Sequence, residues 1–379
     1  MIKMGLIYKD SGVNTKLGND VSKILYNAAK QTWENRKGKL GEIIIPHDDF
    51  SGVRAIDVSN LPIGTLMGMN SDGIGTKIEI AERINDHSTS AHNLFAMVCD
   101  DAVIRGTEPV LLASVLDVNS LGNEKVSYIE QVRQLAVGYI NAAKEANVAV
   151  INGETAELGH RVNGFGDFNY NWSGSVIWFA KKDRLFTGYE IKINDYLVGL
   201  REHGFRSNGF SLLRKIMKQN YGDNWHACNL HGKKETLGEI VLTPSKIYAK
   251  FIVDLTGGYD KEEKAKIHGI AHITGGGIPE KLGRILKPSG LGAIIDNAFE
   301  PSELMLHTQE LGEITDREAY KTWNMGQGMI IITPQPEIII SHAKDYGIEA
   351  KCMGNITSKP KIKIKSMGIF SDKKRPLVF

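Results

Sequence analysis

The 379-residue chain has little cysteine, almost no excess charge of either sign and no long apolar run. Its three cysteines, Cys99, Cys228 and Cys352, are widely scattered and odd in number. They exclude a disulfide scaffold and a thiolate metal site, and they point to a reduced, cytoplasmic protein. A formal net charge of +2 argues against a dedicated nucleic-acid binder. No stretch approaches the roughly 18 apolar residues that span a bilayer. The opening Met1-Ile2-Lys3-Met4-Gly5 lacks a signal-peptide apolar region. A Walker P-loop, G-x-x-x-x-G-K-[ST], is also missing.

The content is that of a soluble protein with 42% hydrophobic and 24% charged residues, and the length favours two domains. Apolar runs of strand length alternate with helical periodicity. Val110 to Val118, Val148 to Ile151, Asp195 to Leu200 and Met329 to Ile332 read as strands. Asn19 to Trp33, Ala91 to Arg105 and Pro336 to Tyr346 read as helices. Ser127 and Glu130 form a capping-box pattern opening a helix to about Ala146. The order predicts an α/β (α+β) fold with halves at 1–182 and 183–379. Lys361 to Lys365 alternates with period two and reads as a lysine-blunted edge strand. The polar stretch from Gln219 to Glu239 carries no pattern.

Chemistry concentrates in a few small-residue segments. Asp72-Gly73-Ile74-Gly75-Thr76-Lys77, Asp100-Asp101 and Asn152-Gly153-Glu154-Thr155-Ala156-Glu157 each set acids beside small residues at the end of an apolar run. Carboxylates there suit a hard cation, glycines let backbone N–H groups approach phosphate, and a lysine adds a point charge. Together they predict a Mg-nucleotide site, with Glu154 just past a strand terminus. Gly204-Phe205-Arg206-Ser207-Asn208-Gly209 reads as an anion-binding helix start, with Arg206 as a fork. His272-Ile273-Thr274-Gly275-Gly276-Gly277 reads as a turn open to a ligand, because three glycines in a row are entropically costly. Asn324 to Met329 reads as a structural turn.

In their order along the chain these segments resemble the phosphoribosylformylglycinamidine cyclo-ligase (AIR synthetase) family. The resemblance starts at Tyr8-Lys9-Asp10-Ser11-Gly12-Val13-Asn14. It runs through Gly106-Thr107-Glu108-Pro109 and Leu242-Thr243-Pro244-Ser245-Lys246-Ile247-Tyr248 to Asn324-Met325-Gly326-Gln327-Gly328-Met329. It implies ATP-driven closure of formylglycinamidine ribonucleotide (FGAM) to aminoimidazole ribonucleotide (AIR), through phosphorylation of the formyl amide oxygen. It implies a homodimer whose N-terminal sheets close a β-barrel, a C-terminal α/β sandwich, and ATP and Mg2+ in the cleft. By position it implies Asp72, Asp101 and Glu154 as metal ligands. Asp72, Gly73, Thr76, Lys77, Asn93, Asn152, Gly153 and Glu154 fall on the ATP. Arg206, Ser207, Asn208, Gly275, Gly276 and Gly277 fall on the substrate, and Lys77, Arg206 and His272 are the catalytic candidates.

The chain departs from that family in four places. The glycine-rich loop before Asp72 reads Gly41 to Gly52 with no G-F-G element. The histidine of G-x-H-S-N-G is Arg206, which can bind an anion but cannot act as a base. Asn93 and Asn152 replace an aspartate and a glycine. Within the wider superfamily, selenophosphate synthetase would need a cysteine near the N-terminus and a hydrogenase-maturation dehydratase a cysteine-bearing tail. A paralogous kinase or ligase, or a nucleotide binder without turnover, is the alternative reading.

Overall fold

Four strands build the first sheet: β1 (Thr65–Gly73), β2 (Glu108–Val118), β3 (Ala149–Glu157) and β4 (Tyr170–Lys181), in the order β1-β4-β2-β3. β2 and β3 are parallel and the other pairs antiparallel. The computed structural model describes residues 15–44, 54–123, 125–371 and 375–379. The Tyr8 to Asn14 motif and residues 45–53 of the altered loop lie outside the described residues.

Helices α1 (Thr15–Thr32), α2 (Ile78–Ile84), α3 (Ser90–Val103) and α4 (Ile129–Ala146) belong to this half. Leu94, Phe95, Val98 and Ala102 of α3 pack with Leu112, Leu116, Trp172 and Val176 on one face of the sheet. The spacing of those four helical residues is the 3.6-residue stripe, and the strand residues alternate, so each element buries one side. The opposite sheet face exposes Met67, Met69 and Val115. The expected capping box is not formed. α4 starts at Ile129 with Tyr128 in the cap position, and Ser127 Oγ only accepts a long bond from Ile129 N (3.4 Å).

The second half holds β5 (Tyr196–Arg201), β6 (Gly269–His272), β7 (Gly292–Ile295), β8 (Gln327–Thr333), β9 (Ala350–Thr357), β10 (Ile362–Ile364) and β11 (Leu377–Val378). Their order is β11-β10-β7-β9-β5-β8-β6. The lysine-rich strand β10 is therefore not an edge. It lies between β7 and β11, with Ile362 and Ile364 buried. Helices α5 (Phe210–Tyr221), α6 (Leu237–Val241), α7 (Ala249–Thr256), α8 (Gly277–Leu286), α9 (Glu303–Leu311), α10 (Asp316–Thr322) and α11 (Pro336–Asp345) pack around this sheet. β8 is buried along its whole length, which its unbroken Met329 to Ile332 run anticipates.

The halves share interior. Ile247, just before α7, and Phe251, Ile252 and Leu255 within it sit in the same apolar cluster as α3. In exchange, Ile80 and Ala81 of α2 join the core of the second half. The stretch from Gln219 to Glu239 is part of this clasp. Trp225 is buried, Arg83 donates to Asp223 O (2.9 Å), and Gly238 meets the Ile84 side chain.

His87 lies in an aromatic box of Phe168 and Tyr170, only 1% exposed, and burial pulls its pKa down to about 4. The unfolded chain binds a proton below about 6.5 that folded His87 refuses until about 4. Stability should therefore be complete above pH 6.5 and fall as pH drops toward 4, by about 3 kcal/mol from this group. Melting curves at pH 7 and 4.5 test this. His87→Phe should flatten the difference; an unchanged pH slope in that variant would assign the acid sensitivity elsewhere.

Candidate functional site

The candidate residues fall into a groove, a lip and a buried cluster. The groove runs over the first sheet. β1 extends through Asp72 and β3 through Glu154, so both acids are strand residues rather than post-strand residues. Ser71, Asp72, Ser114, Asn152, Gly153, Glu154, Ser173 and Ser175 line a groove of about 460 Å3. That volume is within the common range of small-molecule sites, about 300–1,000 Å3. Its floor is made of small side chains. Ser71, Ser173 and Ser175 face it, while the Cβ position of Gly174 points to the other side of the sheet, toward Leu94 of α3. Glu157 is committed elsewhere, accepting from Leu121 N at 2.9 Å.

The sheet register fixes how far apart the acids are. Asp72 pairs with Gly174, Gly174 with Ser114, and Ser114 with Gly153. Three strand spacings separate Asp72 from Glu154, about 14 Å. One Mg2+, whose ligands sit about 2 Å away, cannot bind both. Among the described residues no three His, Cys, Asp or Glu side chains converge on a metal position. The set Asp72, Asp101 and Glu154 is thus not one coordination sphere. Asp72 and Asp101 are near neighbours, whereas Glu154 lies in the next row of the register, with Val115, Ser173 and Gly73, and points to the opposite face of the sheet.

Asp72 Oδ1 accepts from its neighbour Gly73 N (2.7 Å). Burial raises its pKa, the Gly73 N–H opposes this, and the charge of Asp101 raises it further. Asp101 lies in the last turn of α3 among buried neighbours, with its own side chain 37% exposed. Burial alone would raise it, but the His272 hydrogen bond and charge outweigh that and hold it below the usual carboxylate range. Two acids that repel each other and keep an oxygen each are suited to a divalent cation completed by phosphate and water.

The lip is formed by three turns. Gly75 and Thr76 are exposed, and a Cβ on Gly75 would lie 3.8 Å from Ser207 O. A Cβ on Gly275 would lie 3.0 Å from Asn208 Oδ1. Ser207 Oγ and Asn208 Nδ2 are buried atoms without a hydrogen-bond partner. Unsatisfied groups of this kind cost free energy and fit a ligand's acceptor oxygens. Only Gly275 keeps the reading of close ligand approach. Gly276 has φ +90°, and a side chain on Gly277 would strike the Tyr320 carbonyl, so those two glycines serve the backbone.

The remaining candidates lie inside. Lys77 is 1% exposed and donates to Asn93 Oδ1 (2.9 Å) and Thr243 O (2.7 Å). Burial pulls its pKa to about 7, with Glu202 raising it and Arg206 lowering it. Asn93 Oδ1 also accepts from Ser245 Oγ (2.7 Å). Lys77 and Asn93 therefore join the two halves and do not line the groove. Arg206 is equally buried and donates to Asp100, Glu202, Lys246 O and His272. Both terminal nitrogens of its fork are taken by the protein and only the buried Nε lacks a partner, so the expected free anion fork is not present. Burial pushes Asp100 up to about 7 against the pull of Arg206 and the Tyr248 N–H. His272 is pulled to about 4 by burial and by Arg206.

Sequence reading missed Glu202 and Lys281. Glu202 carried no motif, although it is four residues from Arg206. Lys281 on α8 acts on Asp72, Asp101 and His272. Its signal was its place one helical turn after Gly277, at the N-terminal end of a helix facing the lip.

Comparison with known proteins fits this geometry. The family description "AIR synthase related protein, N-terminal domain" matches residues 56–173, and the C-terminal counterpart matches 192–366. The chain is 33% identical over 356 residues to the phosphoribosylformylglycinamidine cyclo-ligase of Pseudothermotoga lettingae, covering 93% of this chain and 97% of that protein. It is 34% identical over 352 residues to the enzyme of the same name from Desulfitobacterium hafniense, covering 92% and 95%. Among solved structures, the fold is shared with thiamine-monophosphate kinase from Stenotrophomonas maltophilia. The TM-score is 0.62 at 12% identity, over 91% of this chain and 97% of that one. It is also shared with T. maritima PurL complexed with ATP, at TM-score 0.51 and 11% identity, over 97% of this chain and 51% of that one. On the end-to-end match of both halves, the chain belongs to the AIR synthase family, alongside the phosphoribosylformylglycinamidine cyclo-ligases.

Proposed function

We propose that this chain is an ATP-dependent cyclo-ligase that closes FGAM to AIR in purine biosynthesis. The observation that carries the reading is the match along both halves to cyclo-ligases, joined to a groove whose acids and glycines suit a nucleotide. ATP phosphorylates the formyl amide oxygen, the neighbouring amidine nitrogen attacks that carbon, and phosphate leaves with the oxygen. Such chemistry rests on positioning and on neutralising charge.

The groove from Asp72 to Gly153 would hold ATP over its floor of small residues. Asp72 and Asp101 would hold Mg2+, which when bound neutralises phosphate oxygens. Glu154 sits far enough away to serve a second cation or the nucleotide itself. Ser207 Oγ, Asn208 Nδ2 and the Gly275 turn would take the substrate's phosphate. Lys77, Asn93 and Arg206 hold the halves in register. The division at 1–182 and 183–379 is the domain boundary on this reading, with the α2 and α7 exchange across it. The exposed Met67 and Met69, beside the groove on the outer sheet face, support a homodimer closed sheet to sheet, with Val115 left to the groove lining. Among the described residues no helix is long and apolar enough to cross a membrane. Three unpaired cysteines suit the cytoplasm.

FGAM-dependent ADP release with Mg-ATP, followed together with AIR, tests the reading. ADP and AIR should appear in equal amounts. ADP without AIR would sink it in favour of a kinase of the same fold.

A further inference from the structure

We propose that Arg206 is a positioning residue that fixes the tautomer of His272 and, through it, aims the free oxygen of Asp101 at a divalent cation. The argument rests on donor and acceptor chemistry. A guanidinium has five N–H donors and no acceptor. Arg206 Nη2 lies 2.7 Å from His272 Nε2. That nitrogen must therefore carry the lone pair, and the ring is neutral with its proton on Nδ1. Nδ1 lies 2.5 Å from Asp101 Oδ1, so the N–H donates to the carboxylate and leaves Oδ2 to the cleft. An arginine at 206 permits one tautomer; a residue able to both accept and donate would permit two.

Arg206 cannot swing away to do anything else. Nη2 also donates to Asp100 Oδ2 (2.8 Å), and Nη1 donates to Glu202 Oε2 (2.8 Å) and Lys246 O (2.9 Å). The Tyr248 ring covers its Cζ at 5.4 Å. Its backbone sits at φ +57°, a strained conformation for a bulky residue that persists only where the surroundings over-determine it. Asp100 and Asp101 are consecutive on α3. One is held by Arg206 directly and the other by His272, so the helix end is clamped at two points, against the turn after β5 and against β6. Partners that orient a ligand from behind typically change metal affinity about 10–100-fold when removed.

The inference rests on reading Asp101 as a cation ligand, and the experiment separates the two. Full-length protein labelled with 15N-histidine is examined at pH 7.5 by long-range 1H–15N correlation, with His272 assigned by its loss in His272→Gln. The expected spectrum shows His272 protonated on Nδ1 and bare on Nε2. A proton on Nε2, or on both nitrogens, overturns the proposal without any variant. Arg206→Gln, whose amide can either donate to or accept from Nε2, should give mixed tautomers and bind Mn2+ about tenfold more weakly. Unchanged Mn2+ affinity in that variant overturns it as well. His272→Asn keeps a donor at the Nδ1 position and should retain Mn2+ affinity, whereas His272→Gln keeps only the Arg206 contact and should not. A purely structural histidine would show no such split. Loss of Mn2+ binding in Asp101→Asn, in a protein that makes no AIR, would keep the relay and reject the cyclo-ligase reading alone.

Discussion

Arg206→Ala should destabilise the protein by about 3–5 kcal/mol, as measured by thermal or urea denaturation. The residue is 1% exposed, and its two carboxylate partners, Asp100 and Glu202, are at 0% and 2%. Removing the guanidinium leaves both acids without their cation and empties a space under Tyr248. Total stability of a domain is about 5–15 kcal/mol, so the variant should lose a large share of it. The second site argues the same way. Asp100→Asn in the Arg206→Ala background removes one stranded charge and should recover part of the loss, a coupling that distant sites would not show. The sequence alone favours a different outcome, mainly a raised KM for the phosphate-bearing substrate, because Arg206 beside Ser207 and Asn208 reads as an anion fork. A stable variant with a raised KM would restore that role.

The two readings of Arg206 show where sequence stops being informative. Strands and helices with clear periodicity were legible, because period 3.6 and period 2 each mark one buried face. Ala91 to Arg105 became Ser90–Val103, and Val110 to Val118 became Glu108–Val118. The acid and glycine segments were legible as site chemistry. Whether each side chain turned outward or inward was not. Lys77 follows a glycine turn, as a phosphate lysine would. It opens α2, however, and α2 is donated to the core of the other half, which carries the lysine inward to Asn93 and Thr243. Glu154 looked like a residue beyond a strand end. The strand continues because β2 offers it partners as far as Glu157, and this places three strand spacings between Glu154 and Asp72. The capping-box pattern at Ser127 was weaker than its form, whereas Thr236 and Glu239, in the stretch that carried no pattern, make a complete box. Such outcomes depend on pairing across the chain, which local spacing does not encode.

Asp101→Ala should abolish ATP-driven turnover while leaving the fold in place. On the proposed function Asp101 is one of two neighbouring carboxylates that would hold Mg2+, and the other, Asp72, could not neutralise several phosphate oxygens alone. Loss of a group preorganised for developing charge costs about 100–1,000-fold in kcat, and a cation ligand belongs at the upper end of that range. The stability cost is smaller. The side chain is 37% exposed, and its removal leaves one unsatisfied donor, His272 Nδ1, worth about 1–3 kcal/mol. The contrast with Arg206→Ala is the point of measuring both: one residue should lose stability first and the other turnover first. Glu154→Ala should fall between wild type and Asp101→Ala in turnover, because the sheet register keeps it out of the ligand sphere of Asp72. Near-wild-type ADP release by Asp101→Ala would remove it from the cation site, and with it the reason for a histidine and an arginine aligned behind it.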